Sequence, residues 1–397
     1  MAGSHKKQTT ATQSARCALD DCSARPESFS KSVDSQQETW VALLGRMDEP
    51  TDGVEDYCTF LSRALTPHGV GLRRVRVPWA DEGWARALRG LWHEASAWSG
   101  RWVLLQYTAL GWSRRGFPFG ALRVMTVLRR AGARVAVVFH EPSRQSSGSR
   151  WVDVVRGACQ DWVIHRLYHR TAKAIFTVPL ETAAWLPKGD GRAAFIPIGA
   201  NIPERVVRRA VPPDTNQEKT VIVFGVTGAL ATDSEVEEIA TVIKETSKVF
   251  GKLRLVVVGR GAAEAREQLE RSLEGVNVGL VVRGILPAEE IAHEFERADA
   301  QLFVRGAATP QRGSVIAGIA CGLPIVAYQN RDISEPLREA GVEWSPWRDR
   351  DALVRGLVRV LSDPTRWLQL HERNLNAQKN HFAWGRIAER YRTVLAQ

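Results

Sequence analysis

Three stretches of the chain set small residues beside groups able to hold or move charge. In the first, Arg312-Gly313-Ser314 stands where a loop of small and polar residues, Gly306 to Gly313, gives way to an apolar helix running from near Ser314 to Gly322. A helix N-terminus carries unpaired backbone N–H groups and about half a positive charge. Gly313 lets a phosphate approach that backbone, Ser314 can cap the helix or donate to a phosphate oxygen, and Arg312 can neutralise the anion with a bidentate fork. A plain α/β turn, with Gly322 as an ordinary helix terminator, accounts for the same residues without a ligand. In the second, Gly225-Val226-Thr227-Gly228 and Gly259-Arg260-Gly261 each follow an apolar run, where open α/β sheets admit ligands. Arg260 there can serve a diphosphate or simply be exposed in a turn.

The third stretch, His140-Glu141-Pro142, ends the apolar run Val135 to Phe139. His140 can hydrogen-bond a sugar hydroxyl or help move a proton, with Glu141 orienting it. A histidine satisfied within the core is the competing reading. Asp52-Gly53-Val54-Glu55 opens a helix, where Gly53 suits a close ligand and a simple cap explains it equally well. Trp112, Arg114, Arg115, Phe117 and Phe119 mix aromatic and basic side chains. Such a mixture fits an acceptor groove, a membrane interface or single-stranded nucleic acid, against core packing beneath a loop. No P-loop lysine motif, HExxH pattern or GxSxG elbow occurs, and the second half does not open with GxGxxG.

These residues need a frame, and the hydrophobic pattern supplies one. Short apolar runs cover Val103–Leu105, Val135–Phe139, Ile175–Val178, Phe195–Pro197, Val221–Phe224, Leu255–Val258, Leu280–Val282, Leu302–Val304 and Ile325–Ala327. They are apolar on both faces, as strands of a parallel sheet covered by helices must be. Amphipathic stretches alternate with them at Ser234–Phe250, Glu289–Ala298 and Asp351–Leu361, and Trp384–Leu395 also reads as a helix. Strand then helix, repeated, predicts doubly wound α/β sheets. Pro203 to Lys219, with three prolines among polar residues and no apolar period, reads as a linker. The division is a leader at 1–37, a first domain at 38–205, a linker at 206–219, a second domain at 220–382 and a terminal helix at 383–397.

Composition bounds the function. The 397 residues are 44% hydrophobic and 25% charged, enough apolar material for two cores. No apolar run approaches the roughly 20 residues that span a bilayer. Met1 to Ser35 is polar, lacks a secretory apolar segment and reads as disordered. Cys17, Cys22, Cys58, Cys159 and Cys321 form no CxxC pair or Cys/His cluster, which disfavours a disulfide framework or zinc site and fits a reducing cytosol. The net charge of +10 favours phosphate-bearing partners or an anionic membrane, its short arginine pairs being spread out rather than gathered in a tail.

Taken in order, these pieces resemble the GT-B glycosyltransferases of family four, from about residue 40 to the end. Asp52-Gly53-Val54 is similar to that family's N-terminal glycine loop, and His140-Glu141-Pro142 to its active-site histidine motif. Ile196-Pro197-Ile198-Gly199 resembles its segment before the linker, and Arg283-Gly284-Ile285-Leu286 with Ala298-Asp299-Ala300 the stretch ahead of the donor loop. Ala320-Cys321-Gly322-Leu323-Pro324-Ile325-Val326 resembles its Ala-x-Gly-x-Pro-Val-Val hallmark, the most specific of the set.

The resemblance implies two Rossmann-like domains facing each other across a cleft. It implies a nucleotide-diphosphate sugar held mainly by the second, a glycan or lipid-linked acceptor held by the first, and transfer with retention. No obligatory metal is implied, because helix N-termini and basic side chains neutralise the diphosphate. On this reading His140 and Glu141 are catalytic. Gly225, Gly228, Arg260, Arg305, Thr309, Arg312, Gly313 and Ser314 face the donor, and Gly53, Trp112, Arg114 and Arg115 face the acceptor. The family's acidic pair falls at Thr309 and Ala317, neither of them acidic, and its basic pair is not evident between Gly225 and Thr232; Arg312, Arg260 or Arg305 can substitute. The expected setting is cytoplasmic, with peripheral contact to an anionic membrane at its inner face and no nucleic acid. A nucleotide-sugar epimerase and a non-catalytic GT-B-like partner subunit are the rival functions.

Overall fold

The computed structural model describes residues 38–49, 51–141, 151–187, 189–203, 212, 218–226, 232–329 and 333–397. The expected leader, most of the linker, Pro142 and Gly228 lie outside them.

Two six-stranded parallel sheets organise the described chain. The first holds β1 (Glu38–Leu44), β2 (Val70–Arg76), β3 (Trp102–Tyr107), β4 (Arg134–Phe139), β5 (Lys173–Phe176) and β6 (Ala193–Phe195), in the spatial order β2-β1-β3-β4-β5-β6. The second holds β7 (Lys219–Phe224), β8 (Leu253–Val258), β9 (Val278–Arg283), β10 (Ala300–Phe303), β11 (Ile325–Tyr328) and β12 (Val342–Ser345), in the order β12-β11-β10-β7-β8-β9. The first sheet is joined by α1 (Gly53–Leu65), α2 (Trp79–Glu82), α3 (Trp84–Ala95), α4 (Phe119–Arg130) and α5 (Trp151–Tyr168). The second is joined by α6 (Thr232–Ser247), α7 (Ala262–Ser272), α8 (Ala288–Arg297), α9 (Gly313–Ala320) and α10 (Glu335–Glu339), and is followed by α11 (Arg350–Ser362), α12 (Pro364–Ala377) and α13 (Trp384–Ala396).

The strands' two apolar faces explain the layering. Along β3, Val103, Leu105 and Tyr107 enter one core cluster while Trp102 and Leu104 enter another on the opposite face. Each fully buried Val, Leu or Ile contributes about 1.5–3 kcal/mol, so helices on both sides are required to collect that energy. The second sheet repeats the plan, with Val221 and Val223 of β7 on one face and Ile222 on the other.

The terminal helix belongs with the first sheet. Trp384, Ile387, Tyr391 and Leu395 of α13 join Tyr57 and Leu61 of α1 in one core. The Tyr57 and Tyr391 hydroxyls share a hydrogen bond of 2.7 Å, and Trp102 Nε1 donates to the Leu395 carbonyl at 3.0 Å. Gly199 is obligatory beside this helix, because a Cβ there would stand 2.4 Å from the Trp384 ring.

Each of the nine apolar runs meets a strand, though Phe195–Pro197 shares only Phe195 with β6 and Ile175–Val178 runs two residues past the end of β5. β1, β2 and β12 are additional, and α6 opens at Thr232 rather than Ser234. In each sheet one pair of neighbours, β1 and β3 in the first and β7 and β10 in the second, sends its connections in opposite directions. The crevice outside the carboxyl ends at such a switch point is where open α/β sheets take ligands.

Candidate functional site

Two cavities open between the halves, at the carboxyl ends of these pairs. The first, about 390 Å³, is lined by the loop after β1 (Gly45, Arg46, Asp48), the loop after β3 (Thr108, Leu110, Gly111), His140, Glu141 and, from the second half, Gln311, Arg312 and Gly313. The second, about 550 Å³, lies between Gly225, Gly259, Arg305 and the start of α9 on one side and Thr51, Gly53 and Asp56 on the other. Gly53, Asn201, Gln311, Arg312 and Gly313 line both, so the two spaces are continuous in their walls.

Local chemistry builds the first wall. Asp52 caps α1 by accepting from the Val54 and Glu55 N–H groups, each at 3.1 Å. It also pairs with Arg76 at 3.2 Å, while Arg76 Nη1 donates to the Gly45 carbonyl at 2.9 Å. Gly45 must be a glycine, since a Cβ there would sit 2.1 Å from the Gly111 carbonyl oxygen. A Cβ on Gly53 would meet nothing within 4 Å, because that position faces the open cavities.

His140 closes this wall. Its ring shares a 2.8 Å hydrogen bond with Gln106 Oε1 and meets Tyr57 edge-on at 5.1 Å. Gln106 Nε2 donates to the Leu104 carbonyl at 3.3 Å, which turns the amide oxygen toward the ring. The proton therefore sits on Nε2, and Nδ1 is the ring's acceptor. Burial pushes the imidazole down to about 4, with the Asp52 carboxylate acting weakly the other way, so the ring is neutral at physiological pH. The residue orienting His140 is thus Gln106 rather than Glu141, whose carboxylate accepts from the Ala109 N–H at 3.3 Å. Gln106 has a sequence signal: it is the one polar residue inside the apolar run Trp102 to Tyr107.

The second wall is electropositive. Arg312 stands at the N-cap of α9, and its guanidinium is held below its usual range first by burial and then by Arg305. Arg305 Nη1 lies 3.4 Å from where a Cβ on Gly225 would stand, and Gly225 itself has φ +77°. Arg305 therefore reaches from the loop after β10 into the place after β7 where the sequence shows no basic pair. Neither guanidinium forms an ion pair among the described residues. The Arg312 Nε and Gln311 Oε1 atoms are buried with no hydrogen-bond partner among those residues. Ser314 lines the second cavity beside Gly313, its own carbonyl accepting from Gln301 Nε2 at 2.9 Å.

Other sequence candidates lie elsewhere or are engaged. Trp112 is 1% exposed, packs in the core of the first half and donates to the Gln106 carbonyl at 2.8 Å, so it lines no groove. Arg114 is tied to the Ala80 carbonyl at 2.7 Å and Arg115 is exposed; neither borders either of these two cavities. Arg260 borders the second cavity, yet it bridges the halves, bonding Asp48 Oδ2 at 3.2 Å and the Thr51 carbonyl at 2.6 Å. Thr309 borders neither cavity; its carbonyl accepts from the Arg312 N–H at 3.0 Å. Ala317 turns a methyl toward the second cavity. Gly322, with φ +66°, ends α9 as a positive-φ terminator. Among the described residues no group of three or more His, Cys, Asp or Glu is placed to hold a metal ion.

No curated protein matches the chain significantly in sequence. Residues 221–363 match the family described as Glycosyl transferases group 1. A solved sucrose-phosphate synthase from Thermosynechococcus elongatus has a TM-score of 0.65 at 17% identity, covering 90% of this chain and 99% of its own. Anabaena HepE in complex with UDP and glucose gives 0.63 at 10%, covering 90% and 99%. S. aureus MnaA with UDP gives 0.55 at 10%, covering 91% and 98%. At these identities the structures establish the fold: the chain has the two-domain GT-B fold, and its residues 221–363 match the glycosyl transferases group 1 family.

Proposed function

We propose that the protein transfers a sugar from a nucleotide-diphosphate sugar to a hydroxyl of a glycan or lipid-linked acceptor, with retention, working in the cytoplasm at the inner face of a membrane. The observation that carries this reading is the pair Arg305 and Arg312, two guanidiniums that form no ion pair among the described residues, at the start of α9 beside a 550 Å³ cavity. At Arg312, Glu235 and Glu141 offset only part of the burial and mutual repulsion. Like charges are costly to hold together in a half-buried site, and a diphosphate relieves both. As the bond from the anomeric carbon to the diphosphate lengthens, negative charge grows on the leaving oxygens. Arg305, Arg312 and the N–H groups of Gly313 and Ser314 then stabilise it. His140 Nδ1 accepts from a hydroxyl of the transferred sugar, and Gln311, which borders both cavities, contacts the sugar between donor and acceptor. Glu141, Arg46 and Thr108 border the acceptor space.

The bound UDP of the HepE and MnaA structures supports a nucleotide in this cleft. Isothermal titration against UDP-, GDP-, ADP- and dTDP-sugars tests the proposal. Micromolar binding of one of them is expected, with turnover that persists in EDTA and a product whose anomeric configuration, read by NMR, matches the donor's. Thr309 and Ala317, standing where related enzymes carry acids, favour the second reading, a non-catalytic partner subunit. Absence of binding across the whole panel moves that reading to first place. Conversion of a free nucleotide-sugar without any acceptor favours an epimerase instead.

A further inference from the structure

Helix α5 is apolar on both sides. Val163, Ile164, Leu167 and Tyr168 face the core. The opposite stripe, at helical spacing, exposes Trp151 by 77%, Val154 by 58%, Val155 by 46% and Trp162 by 47%. Phe119, 42% exposed at the start of α4, meets Trp162 edge-on with ring centroids 6.0 Å apart. Single exposed apolar side chains are ordinary, whereas five gathered on adjoining helices mark an interaction surface.

The surroundings are positive. The Arg166 guanidinium lies over the Trp162 ring at 5.4 Å. Arg115 is exposed on the loop whose Gly116 carbonyl accepts from Gln160 of α5 at 3.0 Å, and Arg123 is exposed one turn past Phe119. None of these three arginines forms an ion pair among the described residues. Of the acids on α5, Asp153 is bound to Arg156 at 2.8 Å and Asp161 is half-buried. In a parallel sheet the helices begin at the carboxyl edge, so Phe119 and Trp151 stand on the edge that also holds the cleft. The loop after β3 joins the two features directly, with Leu110 and Gly111 in the first cavity and Arg115 beside the patch.

We infer that this face seats the protein on an anionic phospholipid bilayer and thereby presents the first cavity to a lipid-linked acceptor. The acceptor clause rests on the transferase reading above; the docking clause does not. Tryptophan rings settle at the headgroup level, arginines meet lipid phosphates, and Val154 and Val155 gain only from an apolar phase. Nucleic acid would use stacking planes and hydrogen-bond donors, which the valines do not offer.

Co-sedimentation of the full chain with phosphatidylcholine vesicles, with and without about 30% phosphatidylglycerol, tests the inference. Anionic vesicles should bind at least about tenfold more tightly than zwitterionic ones, and less tightly as salt rises. W151S/W162S should weaken binding at least about tenfold, and R115E, R123E and R166E about fivefold each. Thermal unfolding and nucleotide-sugar titration of the same preparations check that the variants are folded. Binding that ignores lipid charge, or that W151S/W162S leaves unchanged, overturns the inference. So does a patch that binds single-stranded RNA in preference to vesicles, or one whose role proves to be self-association lost in W151S/W162S. Failed vesicle binding with intact nucleotide-sugar binding discards the docking face alone; the reverse pattern discards the donor site and leaves docking standing.

Discussion

Arg312→Met separates a ligand-binding guanidinium from a structural one. The side chain stands at the head of α9, half-buried, with Nε lacking a partner among the described residues; desolvation and Arg305 weaken its charge more than Glu235 and Glu141 support it. A charged group in that condition strains the free protein. A methionine of similar length keeps the apolar stem and removes the strain, for a gain of about 1 kcal/mol, since replacing buried charge by packed apolar groups is commonly neutral or stabilising. For a folding unit of about 150–250 residues that gain raises Tm by about 2–4 °C. Donor affinity should move the other way. A charge-assisted bond to phosphate contributes about 1.5–3 kcal/mol, so Kd should rise about 10- to 150-fold. Scanning fluorimetry with and without the nucleotide-sugar, followed by titration calorimetry, reads both effects. A variant less stable than the parent with unchanged donor affinity would show that Arg312 supports the fold and would refute the reasoning.

Four further outcomes follow from the same geometry. Gln106→Ala frees the His140 ring and should lower kcat about 10- to 100-fold with nucleotide-sugar Kd unchanged, a split that steady-state kinetics beside calorimetry detects. His140 titrates at about 4 when folded against an ordinary 6.5, so as pH falls through that interval the unfolded chain takes the proton first and stability declines; in urea melts His140→Asn should lose part of the decline. Arg260→Ala removes its bonds across the halves to both Asp48 and Thr51, whereas Asp48→Ala removes only the first; small-angle scattering should show a more open chain for Arg260→Ala than for Asp48→Ala, with unchanged thermal stability of the separate cores. Trp112→Ala should cost about 3–5 kcal/mol in denaturant unfolding, the value of a core aromatic, with no change in acceptor KM for the folded fraction.

Sequence reading finds the strands written as unbroken apolar runs, central ones and also the partly buried edge strands β6 and β9. β2 escapes since it is an edge strand carrying Arg73, Arg74 and Arg76, and β1 since its opening Glu38 and Thr39 merge with the polar leader. β12 hides behind Glu343, a buried carboxylate that a local pattern rejects; Arg359 and Arg366 satisfy it at 2.9 and 2.7 Å from the helices that follow. The site divides in the same way. Arg312, Gly313, Ser314, His140 and Gly53 are legible because each sits at the junction of a local element. Arg260 reads as a free cation until the fold brings Asp48 and Thr51 to it from more than 200 positions away. Gln106 is visible as a polar interruption, yet its task depends on His140, 34 positions on.

The cleft's own unpaired polar atoms point to a ligand without reference to any relative. Gln311 Oε1 and Arg312 Nε, on adjacent residues that border both cavities, are buried without hydrogen-bond partners among the described residues. A buried group left unsatisfied costs about 1–3 kcal/mol, and folds tolerate few of them. A loop serving only to turn the chain into α9 would gain from apolar or capping residues at these places, and α9 in fact begins without a side-chain cap. Gln311 and Arg312 border both cavities, and Gly53 opposite leaves its side-chain space open toward them. On the proposed reading the diphosphate accepts from Arg312 Nε while a sugar hydroxyl donates to Gln311 Oε1. The fold's own stability is lower for that arrangement, and the stabilisation returns when the ligand binds.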